Sequence, residues 1–240
     1  MADVSDTLAR VRDALGRERH TKPKAHQIEL AFGDGDLVME GEVPSIAAKK
    51  LSLEAAAAVR GVDHIIDRLR VTPAERMEDG RIRDLVRDAL LQEPALADCA
   101  LQEWIKGKRE AVRSPATPRG AIEIRVEDGV VTLAGEVPGL SRKRLAGVLA
   151  WWVPGSRDVV NGIGVTPPED DSDDQIAEAV TLVLEKDPLV NASQIRVGVR
   201  RSVVTLGGIV ATDAERDMAE FDAWYVFGVD KVVNRIEVRR

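Results

Sequence analysis

A single cysteine, Cys99, is all the thiol chemistry this chain holds, so no disulfide framework can form within it. Aromatic residues make up 3% of the composition, so cores must come from valine, leucine, isoleucine and alanine. No apolar run approaches the length of a membrane-spanning helix, and the longest suspicious stretch, 145–153, is far too short. The opening MADVSDTLARVRDAL is charged from residue 3 and lacks the apolar core of an export signal. The expected address is therefore cytoplasmic, and the chain is not transmembrane. Histidine is scarce: His20, His26 and His64 have no metal-binding spacing. Cys99 lacks a CxxC partner and reads as a small apolar residue. No Walker sequence or dinucleotide fingerprint occurs, and the glycines at 33, 35 and 129 sit in hairpin turns, not phosphate loops. The chain is thus expected to carry no catalytic residue, no cofactor and no metal site. Positive charge is in deficit: 34 Lys and Arg against 41 Asp and Glu give a net charge of −7, which argues against nucleic acid as a partner.

What is present is one pattern, most clearly written between 194 and 238. Ile195, Val197 and Val199 alternate. After a polar turn, Val204, Leu206, Gly208 and Val210 alternate again. A helical stretch follows from about Thr212 to Gly228, and Val232, Val233 and Ile236 open a last strand. Period two, then a helical pattern, then period two describes a small α/β unit. The pattern recurs without gaps. Ile122, Leu133, Gly135, Trp151, Gly155 and Val160 become Ile195, Leu206, Gly208, Trp224, Gly228 and Val233 on adding 73. Ile28, Met39, Gly41, Gly61 and Ile66 become Ile122, Leu133, Gly135, Gly155 and Val160 on adding 94. Helices precede each copy, expected at 5–15 with Ser5 or Asp6 as cap, at 80–91, and after the acidic run Glu169–Asp174. A loop is expected at 20–24. The chain is therefore read as three tandem αββαβ modules of α+β class, each a three-stranded mixed sheet packed on two helices. The copies span 1–72, 78–166 and 172–240. A right-handed crossover would set each third strand parallel to the second, with antiparallel placement beside the first also open. Gly41, Gly135 and Gly208 are expected beneath a closely crossing helix. Gly61, Gly155 and Gly228 are expected in left-handed helix-ending positions.

Module two carries an insertion. Leu96 to Ile122 takes 26 residues where Leu189 to Ile195 takes six. The extra segment, about 97–119, is expected to be helical at first, with Leu96, Ala100, Trp104 and Ile105 sharing a face, and to end at SPATPRG. It would pack on a neighbouring module, bind a partner or stay disordered. The acidic run reads as a linker and helix cap or as a weak cation site. Arg142, Lys143 and Arg144 open the helix at 140–153, and Trp151 and Trp152 close it. Such a helix suits anionic lipid headgroups; alternatively one tryptophan fills the core and the other covers a module interface. Trp224 and Tyr225 repeat that aromatic pair in module three, while Ala57 and Ala58 stand in module one. Arg142, Lys143, Arg144, Trp151, Trp152, Trp224, Tyr225 and Trp104 are the candidate contact residues.

The segments EDGVVTLAGEVPG (127–139) and GSRDVVNGIGV (155–165), RSVVTLGGIV (201–210) and GVDKVVNRIEV (228–238), and GDLVMEGEV (35–43) and GVDHIIDRLRV (61–71) resemble the BON domain, named for bacterial osmotic-stress and nodulation proteins. Module one departs: Glu40 precedes its glycine, Asp67 replaces the asparagine and its opening helix reads as short. The resemblance implies a binding module, since the family is taken to bind phospholipid surfaces or support envelope integrity, mostly outside the cytoplasm. One cytoplasmic relative pairs the domain with a LysM module and senses potassium. The leading expectation is a non-enzymatic binding or scaffold protein linked to osmotic or envelope stress, with a protein partner and a homo-oligomer both open. Peripheral binding to anionic phospholipid is the second expectation, and sensing of a monovalent or divalent cation the third.

Overall fold

The computed structural model describes residues 4–17, 27–33 and 36–239. The loop expected at 20–24, His20, His26 and the hairpin tip at 34–35 lie outside the described residues. The chain divides into two compact units, Met1–Thr72 and Pro73–Arg240.

The first unit runs α1 (Val4–Arg17), β1 (Glu29–Gly33), β2 (Asp36–Val43), α2 (Ile46–Ala57) and β3 (Ile65–Val71). β1 pairs antiparallel with β2, and β3 pairs parallel with β2, so β2 is central. The helical crossover therefore returns the chain beside the second strand, the first of the two placements the sequence left open. Val11 and Leu15 of α1 meet Leu37, Met39 and Val43 of β2 and Leu69 of β3 in one core. Ser45 caps α2 by accepting from the Ala48 amide at 3.2 Å. The opening helix is not short: α1 has 14 residues, as do its two counterparts.

The second unit begins with α3 (Asp79–Gln92), β4 (Cys99–Ile105), β5 (Lys108–Arg113), β6 (Gly120–Glu127), β7 (Val130–Val137), α4 (Leu140–Trp151), β8 (Asp158–Asn161) and β9 (Gly164–Val165). It continues with α5 (Asp173–Lys186), β10 (Ile195–Arg200), β11 (Val203–Val210), α6 (Asp213–Tyr225) and β12 (Lys231–Val238). Module three repeats module one, with sheet order β10-β11-β12 and the same antiparallel and parallel pairings. Module two departs from the three-stranded expectation. Its sheet runs β5-β4-β6-β7-β8, with β9 also on β7.

The extra strands are the insertion, and this corrects the expected helix. Cys99, Leu101 and Glu103 are buried while Ala100, Gln102 and Trp104 are partly exposed, which is period two and not four. Lys106 and Gly107 have φ of 49° and 79° and make a two-residue turn of the kind that joins twisted strands. Leu96, counted onto the supposed helix face, ends a separate 3-10 turn at Pro94–Leu96. β4 lies parallel to β6, with Leu101 opposite Ile122. Arg113 ties the hairpin down by donating to the carbonyls of Leu96 at 2.6 Å and Cys99 at 3.0 Å.

One clasp recurs in all three modules and joins the last strand to the helix before it. Asn161 Nδ2 donates to the Lys143 carbonyl of α4 at 2.7 Å, and Asn234 Nδ2 donates to the Arg216 carbonyl of α6 at 3.2 Å. Each Oδ1 accepts the backbone amide two residues on, from Ile163 at 3.4 Å and Ile236 at 3.0 Å. Asp67 keeps the second bond, to the Leu69 amide at 2.9 Å, but a carboxylate has no proton for a carbonyl. The helix supplies a cation instead: Lys49, 5% exposed, places Nζ 2.9 Å from Asp67 Oδ2 and donates to the Leu69 carbonyl. A second clasp joins each opening helix to its hairpin in modules two and three. Asp79 accepts from the amides of Asp128 and Gly129 at 3.0 and 2.8 Å, and Asp173 from those of Arg201 and Ser202 at 2.8 and 2.9 Å. The Ser202 and Arg201 amides hold the Asp173 carboxyl below its ordinary range. Val4 begins the equivalent helix of module one.

Gly41, Gly135 and Gly208 are not roofed by a helix. They have φ of 137°, 114° and 145°, and a Cβ there would strike the carbonyl oxygen of Gln27, Ala121 or Gln194 on the adjoining backbone. Gly61 and Gly228 have the expected positive φ, whereas Gly155 does not; a Cβ on Gly155 would press on Met77 and Ile82. Within β11 the contrast is testable. Gly208→Ala should cost about 2 kcal/mol in urea unfolding, because backbone conformation and space both forbid it. Gly207→Ala, with open space around it, should be neutral or stabilise by up to about 1 kcal/mol. Equal effects at the two positions would contradict this account.

Candidate functional site

Lys143, Arg144, Trp151, Trp152 and Tyr225 gather where α4 packs against α5 and α6, which is where modules two and three meet. The residue before α4, Gly139, has no side chain to cap it, and Glu169 of the acidic run accepts the Leu140 amide at 2.9 Å. Two residues on, Asp171 pairs with Arg144. Ser172 caps α5 by accepting from Gln175 at 3.3 Å, and Asp173 holds the 201–202 turn. Glu169, Asp171 and Asp173 therefore all have protein partners. Among the described residues no group of three or more His, Cys, Asp or Glu side chains could hold a metal ion.

Arg144 is the deepest of the candidates, at 1% exposure. Besides the ion pair to Asp171, its Nε donates to the Phe227 carbonyl at 2.9 Å, beyond the end of α6. Gly228 completes the contact: it has φ of 92°, and a Cβ there would lie 2.9 Å from Asp171 Oδ2 and 3.2 Å from the Arg144 guanidinium. Lys143 sits over the Phe227 ring, with Nζ 4.4 Å from its centre. Arg142 turns the other way, into its own module, and forks onto Asp98 at 2.9 and 3.2 Å. The Arg142 guanidinium in turn holds the Asp98 carboxyl below its ordinary range, against the opposing effect of partial burial.

The aromatic pairs meet across the joint. Trp151 stacks on Tyr225 with ring centres 5.4 Å apart and planes 14° from parallel. Trp152 donates from Nε1 to Asp222 Oδ1 at 2.9 Å, and Trp224 is fully buried. Trp104 stands apart on the hairpin, beneath Arg109 at 5.8 Å. Lys186 of α5 adds an ion pair to buried Glu93 at 2.9 Å.

Two buried carboxyls at the joint escaped the sequence reading. Asp222 is wholly buried and Asp187 is 7% exposed. Burial foremost, with the Asp187 charge adding and the Trp152 N–H opposing, pushes the Asp222 carboxyl up to about 8. Burial, with the Asp222 charge, raises the Tyr225 hydroxyl to about 12. The available signal was a charge on the apolar stripe of Ala219, Asp222, Ala223 and Val226. Glu103 in the hairpin is similarly buried; desolvation raises it, while Arg87 and Arg83, at 3.7 and 3.6 Å, oppose. Burial also pushes the Cys99 thiol up, away from nucleophilic use. His64 is exposed, and no helix among the described residues is long and apolar enough to cross a membrane.

The joint yields two expectations. Arg144→Ala strands Asp171 and the Phe227 carbonyl and should cost about 3 kcal/mol, whereas Arg142→Ala, at a partly exposed pair, should cost about 1 kcal/mol or less. Guanidinium titration of the two variants reads the difference. Asp222 binds its proton more tightly folded, near 8, than unfolded, near ~4. Its contribution to stability is thus full below the unfolded value and is lost as pH rises through about 8. Between pH 6 and 9 the wild-type midpoint should fall, and Asp222→Asn should flatten that slope.

A family model for the BON domain matches the chain three times, over residues 3–73, 107–167 and 172–240. No curated protein matches it. Among solved structures, the chain is similar to the C-terminal domain of CdsD, the structural protein of the type III secretion system of Chlamydia trachomatis. That likeness has 13% identity and a TM-score of 0.26 and covers 99% of this chain and 100% of the other. A second CdsD structure from the same organism is similar at 11% identity and a TM-score of 0.25, over 98% of this chain and 92% of that one.

Proposed function

The chain belongs to the BON domain family, with three tandem copies, and from that premise we propose that it is a non-enzymatic scaffold whose second and third modules act as one rigid binding unit. The joint carries this reading. Arg144, Lys143, Trp151, Trp152, Tyr225 and Asp222 have partners within or across the modules, and α4 is held at its start by the Arg144–Asp171 ion pair and at its end by the Trp151 stack and the Trp152 hydrogen bond, which together resist hinge motion. Helix surfaces that first looked like binding sites are occupied internally, which leaves the sheet faces for partners. The association with osmotic or envelope stress rests on the family resemblance alone.

Peripheral binding to anionic phospholipid through α4 has weaker support, because the three cations at its start contact Asp98, Phe227 and Asp171. Cation sensing has weaker support too, since the acidic run caps helices and pairs with arginine. Two measurements on the full chain decide among the three. At low salt the protein should stay in the supernatant with phosphatidylglycerol vesicles, and its melting temperature should not move in millimolar potassium, calcium or magnesium. Pelleting that Arg142→Ala and Lys143→Ala abolish would replace the scaffold by the lipid reading, and a cation-specific rise in melting temperature would replace it by the sensing one.

A further inference from the structure

Module two shows what its first strand can accept. The inserted β4 lies parallel along β6, putting Cys99 and Leu101 on the helix side of the sheet and Ala100 and Gln102 on the open side. The equivalent strand of module three, β10, is an edge: its only sheet neighbour is β11, and no described strand of the unit 73–240 takes the place that β4 takes on β6. The same seat is built twice in this unit and filled once.

The open face beside that seat is basic and uncovered. The register places Arg196, Gly207 and Arg235 in one row, Gly198, Thr205 and Val233 in the next, and Arg200, Val203 and Lys231 in the third. Arg196, Arg200, Lys231 and Arg235 are all exposed, and none of their side chains makes a hydrogen bond, ion pair or ring contact among the described residues. Gly198 and Gly207 have open space where a side chain would be. In a chain of net charge −7, four unpartnered cations on one small sheet are a local reversal of sign. The corresponding edge strand of module one, β1, starts with Glu29 opposite Glu40 and has no such set.

We propose that β10 receives an extended acidic peptide from a protein partner by strand addition, its apolar residues continuing the Ile195, Val197 and Val199 side and its carboxylates meeting Arg196 and Arg200. Charge excludes the nearer alternatives. A second copy of β10 would set arginines against arginines, which is how edge strands avoid self-pairing. The acidic run 169–174 is anchored through Glu169, Asp171 and Asp173. The proposal rests on the scaffold reading and names its partner class; the vesicle and melting measurements test that reading without any peptide.

The test uses the full chain and a labelled peptide of about seven residues alternating glutamate and valine, read by fluorescence anisotropy at low salt and by hydrogen exchange. The glutamate peptide should bind and slow exchange of the 195–200 amides about tenfold, with no such change in β1. A lysine–valine peptide should not bind, and a central proline in the glutamate peptide should weaken binding about tenfold or more. Arg196→Glu with Arg200→Glu should do the same with an unchanged melting temperature. The proposal is overturned by no binding, by equal binding of the lysine or proline peptides, or by binding that leaves the β10 amides unprotected. Phosphatidylglycerol vesicles captured through Arg196 and Arg200, with no peptide binding, would also overturn it and assign the face to a membrane surface. If the double variant fails to fold, the proline and lysine peptides still decide.

Discussion

The hydrogen bonds at Asn161 and Asn234, with the ion pair at Asp67, fix the last strand of each module to the helix that precedes it. A three-stranded sheet with two helices buries little apolar surface, so the angle at which the second helix lies on the sheet has few other determinants. One side chain sets it by bonding in two directions: to a helix carbonyl and to the strand two residues on. Once the helix is placed, Leu133, Ala146, Leu206 and Ala219 are all fully buried, and the third strand pairs parallel with the second. The residue that reads as a family signature is thus a packing constraint, not a ligand.

Repeated and unrepeated residues do different work. The strand alternation, the positive-φ glycines and the strand-to-helix clasps recur in register and build each module. Arg144 has no such counterpart: Lys50 and Asp217 stand at its equivalents, and in module two the arginine reaches Asp171 and the Phe227 carbonyl. Glu169, Asp171 and Asp173 likewise combine three tasks in the one linker that joins modules within a unit. The joint is therefore a specialisation laid over a common core, and Arg144, Asp187 and Asp222 are its buried polar members.

The modules were legible because period two and period 3.6 alternate at fixed intervals, and three copies average out the ambiguity of any one. The inserted hairpin was not legible. It occurs once, it is poor in β-branched residues, and Leu96, Ala100 and Trp104 fall by coincidence at helical spacing. The sheet glycines were placed on the right strand but explained by the wrong neighbour, since a backbone oxygen one strand away leaves no trace in composition. The sequence marked the candidate contact residues but not their depth. Arg144 looks like any surface arginine at the start of a helix, and only tertiary packing reveals that its charge is enclosed. Asp222 needed the same information, because a carboxylate on an apolar stripe is visible but its protonation is set by what closes over it.

The exchange at Asp67 has a consequence for how module one can change. In modules two and three the clasp is a neutral amide that takes a backbone carbonyl from Lys143 or Arg216, so the side chains at those two positions are free to vary; Asn234 also donates to Glu220 of α6 at 3.0 Å. In module one the two side chains form a unit: asparagine at 67 would remove the carboxylate that Lys49 Nζ meets, and replacing Lys49 would remove the cation that Asp67 meets. Positions 49 and 67 of module one are therefore coupled through their side chains, and an exchange at one changes what the other must supply.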